Sequence, residues 1–115
     1  TPMVKQNILK ITIFLTTLFI SCQGSSSTVL IETPTIQCGM CKEAIESGLK
    51  KTSGVVAANV DMRTKKASVT FDINKTDLPR IEKVISELGY VANTTLANPD
   101  VYANLPICCK IPDSN

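Results

Sequence analysis

The 115-residue chain contains no histidine and no tryptophan, and aromatic residues make up only 4% of it. Without histidine it lacks the usual general base and the commonest metal-binding side chain of proteins. Cysteine is the remaining residue with distinctive chemistry, and five cysteines are many for a chain long enough to form only one small domain. The chemistry of any functional site is therefore expected to come from sulfur.

The chain also lacks a substantial net charge. Its formal charge is +2, but Lys5 and Lys10 belong to an N-terminal segment that is expected to be removed. From Cys22 onward there are ten lysines and arginines and ten aspartates and glutamates. A neutral chain with no basic patch interleaved with aromatic residues is a poor nucleic-acid binder, so we expect no nucleic-acid partner.

Residues 1–22 have the pattern of a secretory signal peptide. Lys5 and Lys10 form a basic region and residues 11–20 form an apolar run that is short for a membrane span. Ser21 then precedes Cys22 in a sequence that resembles a bacterial lipobox, in which the cysteine becomes the lipidated N-terminus. The alternative is an ordinary signal peptide with an incidental cysteine. We expect secretion across the inner membrane, a lipid anchor at Cys22 in the periplasm, and a flexible Ser-rich tether over residues 23–27.

Residues 28–95 have alternating strand and helix patterns in the order βαββαβ. Apolar residues recur at helical spacing in two segments, which begin near Cys41 and Leu78, and β-branched alternation marks the strands. The expected strands span residues 28–33, 55–60, 66–71 and, more weakly, 90–95. Helices with one apolar stripe each must pack on one face of the sheet. This predicts an α+β, ferredoxin-like sandwich with a four-stranded antiparallel sheet and two helices on one face, followed by a C-terminal extension over residues 96–115.

Cys38 and Cys41 form a Cys-x-x-Cys pair where the first strand leads into the first helix. The positive field at a helix N-terminus favours the thiolate, which is both a soft metal ligand and a redox nucleophile. Two thiolates suit Cu(I) or Hg(II) in near-linear geometry and are too few for a closed zinc site. A thiol-disulfide oxidoreductase is the alternative. It is disfavoured because no tryptophan precedes the motif and because Pro79 lies in a helix rather than opposite the thiols.

Over residues 28–95 the sequence resembles the heavy-metal-associated domain family. That family includes copper chaperones, the N-terminal modules of copper-transporting ATPases and periplasmic mercury-binding proteins. The resemblance rests on Ile-Gln-Cys-Gly-Met-Cys at residues 36–41 and on Gly89-Tyr90. Thr35 and Ile36 stand where the family usually has Gly-Met. The resemblance implies metal binding at Cys38 and Cys41, with Cu(I) first and Hg(II) second, and handoff rather than catalysis. A membrane metal transporter or a periplasmic thiol protein is the implied partner.

Four residues are expected to surround these two thiols. The segment that leads from the first strand into the Cys-x-x-Cys pair is called the metal loop. Ile36 would supply an apolar plug beneath this loop, and Gly39 would let it turn. Met40 is expected to pack inward rather than to bind the metal. Tyr90 would lie in the loop that faces the thiols, as the resemblance implies.

Cys108 and Cys109 lie in the C-terminal extension. The fourth strand should lead away from the metal loop, so that residue 95 ends at the opposite end of the domain, but residues 96–107 are long enough to return. If they return, Cys108 and Cys109 are both candidate metal ligands beside Cys38 and Cys41, and binding by one of them is favoured over binding by two. A site with three or four sulfurs would admit Zn(II) or Cd(II) and favour metal sequestration. The alternatives are surface packing of this segment, a second soft-metal site and an intermolecular disulfide.

Overall fold

The computed structural model of the chain describes residues 25–112. The predicted signal peptide at residues 1–22, Cys22 included, lies outside the described residues. Between residues 25 and 112, no helix has the length and apolar character needed to cross a bilayer.

The core of the fold is an antiparallel sheet in the order β1–β3–β2. The strands are β1 (Ser26–Glu32), β2 (Val55–Asp61) and β3 (Lys66–Asp72). Strand β1 pairs with β3 from Ser26 opposite Asp72 to Glu32 opposite Lys66. It begins two residues earlier than predicted, so the last two serines of the expected tether belong to the sheet.

Alternation along the strands gives the sheet one buried face. In β3, Ala67, Val69 and Phe71 are buried while the intervening residues are not. Leu30 and Val56, on the neighbouring strands, are about two-thirds exposed, at 66% and 67%. A short turn joins β2 to β3, where the Asp61 carboxylate accepts a hydrogen bond from the backbone N–H of Arg63 at 2.8 Å.

Two helices cover the buried face, α1 (Gly39–Lys50) and α2 (Leu78–Glu87). The residues of α1 that are completely buried are Cys41, Ile45 and Leu49, which recur at helical spacing as predicted. Helix α2 begins after Asp77, whose carboxylate accepts a hydrogen bond from the backbone N–H of Arg80 at 3.0 Å. The α+β fold with an antiparallel sheet and packed helices is thus confirmed.

The predicted fourth strand is wrong. Residues 90–95 form a turn closed by an isolated bridge between Ala92 and Thr95, and residues 25–112 contain three strands rather than four. Asn93 adopts the left-handed conformation with φ of 53°, which an extended strand excludes. It also caps the end of β1: its side-chain oxygen accepts from the Glu32 N–H at 2.9 Å and its own N–H donates to the Glu32 carbonyl at 2.8 Å.

This turn changes the course of the C-terminal extension. Since Asn93 binds the end of β1 that leads into the metal loop, the chain does not descend along β1 to the opposite end of the domain, contrary to expectation. The extension then forms a short helix, α3 (Pro99–Ala103), and a 3₁₀ turn (Ile107–Cys109).

Candidate metal site

The loop between β1 and α1, residues 33–38, is fixed by hydrogen bonds and by an apolar residue. The backbone N–H and the hydroxyl of Thr33 both donate to the carbonyl of Lys65, at 2.8 and 3.0 Å. The Thr35 hydroxyl accepts from the backbone N–H of Val91 at 3.1 Å, which ties this loop to the one after α2. Ile36 is completely buried in the core beneath the loop. The backbone that leads into the two cysteines is therefore fixed in position.

Cys38 and Cys41 lie at the N-terminus of α1. Cys38 is the residue immediately before the helix, and its backbone is extended, with φ of −147° and ψ of 172°. Its Sγ lies 3.6 Å from that of Cys41. Cys38 is half-buried, whereas Cys41 is fully buried on the inner face of the helix. The pair is therefore asymmetric, with one accessible sulfur and one in the core.

The two cysteines of the C-terminal extension meet this pair. The Sγ of Cys38 lies 3.2 Å from that of Cys108 and 3.6 Å from that of Cys109, and the two tail sulfurs are 3.9 Å apart. The sulfurs of Cys38, Cys108 and Cys109 all lie within 4.8 Å of one another. All four cysteines in the described part of the chain are free thiols. The structure thus gathers four sulfurs around one helix end.

Hydrogen bonds and one apolar contact hold the extension in place. The Ser86 hydroxyl donates to the carbonyl of Leu96 at 2.6 Å, and the Ser86 carbonyl accepts from the N–H of Asn98 at 2.9 Å. Gly89 has a positive φ of 99°, and the Leu105 side chain packs so closely against it that an added Cβ would lie 3.1 Å from Leu105 Cδ1. Leu105 lies just before the 3₁₀ turn that carries the two cysteines, so its packing against Gly89 positions that turn.

The environment of Cys38 favours its thiolate. Hydrogen bonding to the Cys108 thiol is the main cause, and with the backbone amide of Cys41 it lowers the pKa of Cys38 to about 6. A position at a helix N-terminus acts in the same direction. At neutral pH, Cys38 is therefore the sulfur that is ready to bind a cation or to react.

The neighbouring groups hold their protons more tightly. Burial is the main cause that raises the pKa of Cys109 to about 12, with hydrogen bonding to Cys41 as the next. Hydrogen bonding to Cys38 raises the pKa of Cys108. Burial and the thiols of Cys109 and Cys41 raise the pKa of Tyr90. The cluster thus holds one thiolate next to thiols that would release protons when a metal binds.

Some of the residues expected around the thiols lie where they were predicted, and others do not. Tyr90 is buried beside Cys41 and Cys109. Met40 does not pack inward, because the second residue of α1 points outward there; it is 56% exposed, and its sulfur lies 3.6 Å from that of Cys108. Gly39 is not required for a turn: it is the first residue of the helix, its φ is not positive, and an added Cβ would meet nothing within 4 Å.

Sequence reasoning was incomplete on two features of the site. It named both tail cysteines as candidate ligands but favoured one over two, whereas the 3₁₀ turn brings the Sγ atoms of both Cys108 and Cys109 within 3.6 Å of that of Cys38. The contact of Leu105 with Gly89, which guides the extension, was not foreseen. The only sequence signal for it was an apolar residue three positions before the Cys-Cys pair.

Comparison with known proteins identifies the class. The family model described as the heavy-metal-associated domain matches residues 31–91, more than half of the chain, and the chain belongs to that family. The match ends before the extension that carries Cys108 and Cys109.

Individual relatives include mercury and copper proteins. The chain is 36% identical over 67 residues to a mercuric transport protein periplasmic component of Shewanella putrefaciens, covering 58% of this chain and 74% of the relative. It is 38% identical over 64 residues to a copper-exporting P-type ATPase of Bacillus subtilis, covering 56% of this chain and 8% of the ATPase. The crystal structure of oxidized MerP from Ralstonia metallidurans matches with a TM-score of 0.57 and 29% identity, covering 59% of this chain and 94% of that one.

Proposed function

We propose that this chain binds a soft heavy-metal ion, Cu(I) or Hg(II), at the thiolates of Cys38 and Cys41 and carries it in the periplasm. The ion would pass to or from a membrane transporter or another thiol protein. The observation that carries the proposal is the gathering of four free thiols at one helix end of a heavy-metal-associated domain.

The donor set favours a soft ion over a hard one. Thiolates select ions such as Cu(I), whereas Mg²⁺ and Ca²⁺ prefer oxygen. Within residues 25–112, the group of side chains close enough to hold a metal consists of cysteines alone. A linear ion needs its two sulfurs about 4.6 Å apart, twice a bond of about 2.3 Å. Since the Cys38–Cys41 distance is 3.6 Å, the accessible Cys38 side chain would move outward by about 1 Å.

The exposure of the site is suited to transfer. Cys38 is half-buried and Cys108 is exposed, so an incoming thiol can reach the ion before the chain releases it. The names of the relatives support a transport role, since one is a periplasmic mercuric transport component and another exports copper. Secretion by the residue 1–22 signal and lipid anchoring at Cys22, with a short tether, would hold the domain beside a membrane transporter.

An anaerobic metal titration tests this function. The reduced full chain would be kept in a mild detergent, in a Cys22→Ser background so that every remaining thiol lies in the described part of the chain. It would be titrated with Cu(I) and, separately, with Hg(II) against a chromophoric competitor. One ion per chain and loss of competition in Cys38→Ser are expected. Equal weak uptake by the parent and Cys38→Ser would refute metal carriage.

Metal sequestration is a second candidate, favoured by the position of the tail thiols. Cys109 is only 2% exposed and belongs to the core, so an ion bound to it would be shielded from exchange. Mixing the loaded chain with excess of a small dithiol separates the two functions. Transfer in seconds would support carriage, and retention for hours would support sequestration.

A further inference from the structure

The sulfurs around Cys38 form two alternative sets, and the tail belongs to only one of them. Cys38 and Cys41 are the pair on which the proposed function rests, with their sulfurs 3.6 Å apart. Cys38 also belongs to a triangle with Cys108 and Cys109, whose edges are 3.2, 3.6 and 3.9 Å. The sulfur of Cys41 is not a member of that mutually close set. Cys38 is therefore common to both.

The triangle matches the size of a three-coordinate thiolate site. The point equidistant from its three corners lies about 2.1 Å from each sulfur, close to a metal–thiolate bond of about 2.3 Å. An ion slightly above the plane of the sulfurs would reach that bond length without moving any of them. The Cys38–Cys41 pair, in contrast, must widen to accept a linear ion.

The placement of the three sulfurs is built into the fold. Cys109 is part of the core, and the 3₁₀ turn is closed by the hydrogen bond from its N–H to the Pro106 carbonyl at 2.8 Å. The segment after the turn is tied back to α3, because the N–H of Ile111 donates to the Tyr102 hydroxyl at 2.9 Å. The two tail cysteines are therefore held at the metal loop from both sides.

Building on the proposed function, we propose that the ion is held at rest by Cys38, Cys108 and Cys109, and that the Cys38–Cys41 pair is the state from which it is transferred, because Cys41 takes the ion over when the tail is displaced. In the exchange the ion keeps its bond to Cys38. The bond to Cys41 forms as that thiol gives its proton to solvent, and the bonds to Cys108 and Cys109 break as both thiolates take up protons. No electrons are transferred. The tail thereby acts as an internal competitor that a partner must displace.

X-ray absorption of the Cu(I)-loaded chain tests this proposal by counting sulfurs. The full chain in detergent, in the Cys22→Ser background, would be compared with Cys41→Ser and with Cys108→Ser/Cys109→Ser after loading with one equivalent. Three sulfurs are expected in the parent, three in the matched control Cys41→Ser, and two in the tail variant. The single Cys108→Ser variant, altered at an exposed position, is expected to lose one sulfur and guards against misfolding of the double variant.

Other outcomes would overturn the proposal in distinguishable ways. Two sulfurs in the parent, unchanged in the tail variant and lost in Cys41→Ser, would mean that the ion rests on Cys38 and Cys41. Four sulfurs in the parent would mean that Cys41 binds the ion at the same time as Cys38, Cys108 and Cys109. In both cases the chain still binds a soft metal and the proposed function stands. If the parent failed to bind Cu(I) or Hg(II), this proposal and the proposed function would both be refuted.

Discussion

Replacing Gly89 by alanine should destabilise the domain and loosen its tail. Gly89 follows α2 with a φ of 99°, a conformation that side-chain-bearing residues rarely adopt. It also precedes Tyr90, which lies beside the thiols, and it faces Leu105 of the extension. A methyl group there meets both an unfavourable backbone and a crowded neighbour.

The size of this effect follows from the two contributions. A left-handed backbone costs an L-residue about 1–2 kcal/mol. The added Cβ would lie 3.1 to 3.3 Å from three carbons of Leu105, so that side chain must shift as well. We therefore expect a loss of about 2 kcal/mol, or a fall in Tm of roughly 8–16 °C for a domain of this size.

Urea and thermal unfolding of the metal-free chain measure the loss, and Gly39→Ala is the matched control. Gly39 has open space around it and begins a helix, so alanine there should leave stability unchanged or raise it by up to about 1 kcal/mol. Alkylation of Cys109 should also become faster in Gly89→Ala, since Leu105 no longer packs in place. Equal stability of the two variants would refute the reasoning.

Three further predictions concern the thiolate, a helix end and the turn after α2. Alkylation of Cys38 in the metal-free chain should rise with pH through about 6, because its thiol is protonated and unreactive below its lowered pKa; a midpoint at the ordinary thiol value would contradict this. Asp77→Ala should cost about 1 kcal/mol in urea unfolding by removing the cap on the Arg80 N–H, without changing the bound metal per chain. Asn93→Ala should cost about 2 kcal/mol, since it strains the backbone and removes the side-chain bond to Glu32; stability equal to that of the parent would count against the described turn.

The periodic elements of the fold could be predicted because local pattern and packing agree there. The spacing of Cys41, Ile45 and Leu49 predicted the buried face of α1, and all three are completely buried. The alternation in residues 66–71 likewise predicted β3, which is the central strand. In both segments a single face is apolar, so the sequence admits one orientation.

Residues 90–95 show where pattern alone fails. Their β-branched residues favour a strand, but Asn93 accepts the left-handed backbone and binds the end of β1 through both its side chain and its N–H. A tertiary contact thus decides the conformation. Local periodicity carries no information about such a contact.

Of the candidate site, only the part formed by Cys38 and Cys41, with their approach to each other, could be predicted. The Cys38–Cys41 pair is local, because only two residues separate the cysteines at a helix start. The approach of Cys108 and Cys109 depends on the turn at Asn93 and on the packing of Leu105, two long-range events that set the path of the extension. The outward position of Met40 likewise depends on where α1 begins.

The central claim is that Cys38 is the common ligand of a soft-metal site. The most direct test is residue-specific thiol alkylation, read by mass spectrometry, of the Cys22→Ser chain with and without one equivalent of Cu(I) under anaerobic conditions. The account predicts that Cys38 reacts fastest in the metal-free chain and is protected when one ion is bound. An ion retained on the chain while Cys38 is alkylated at its metal-free rate would contradict the account.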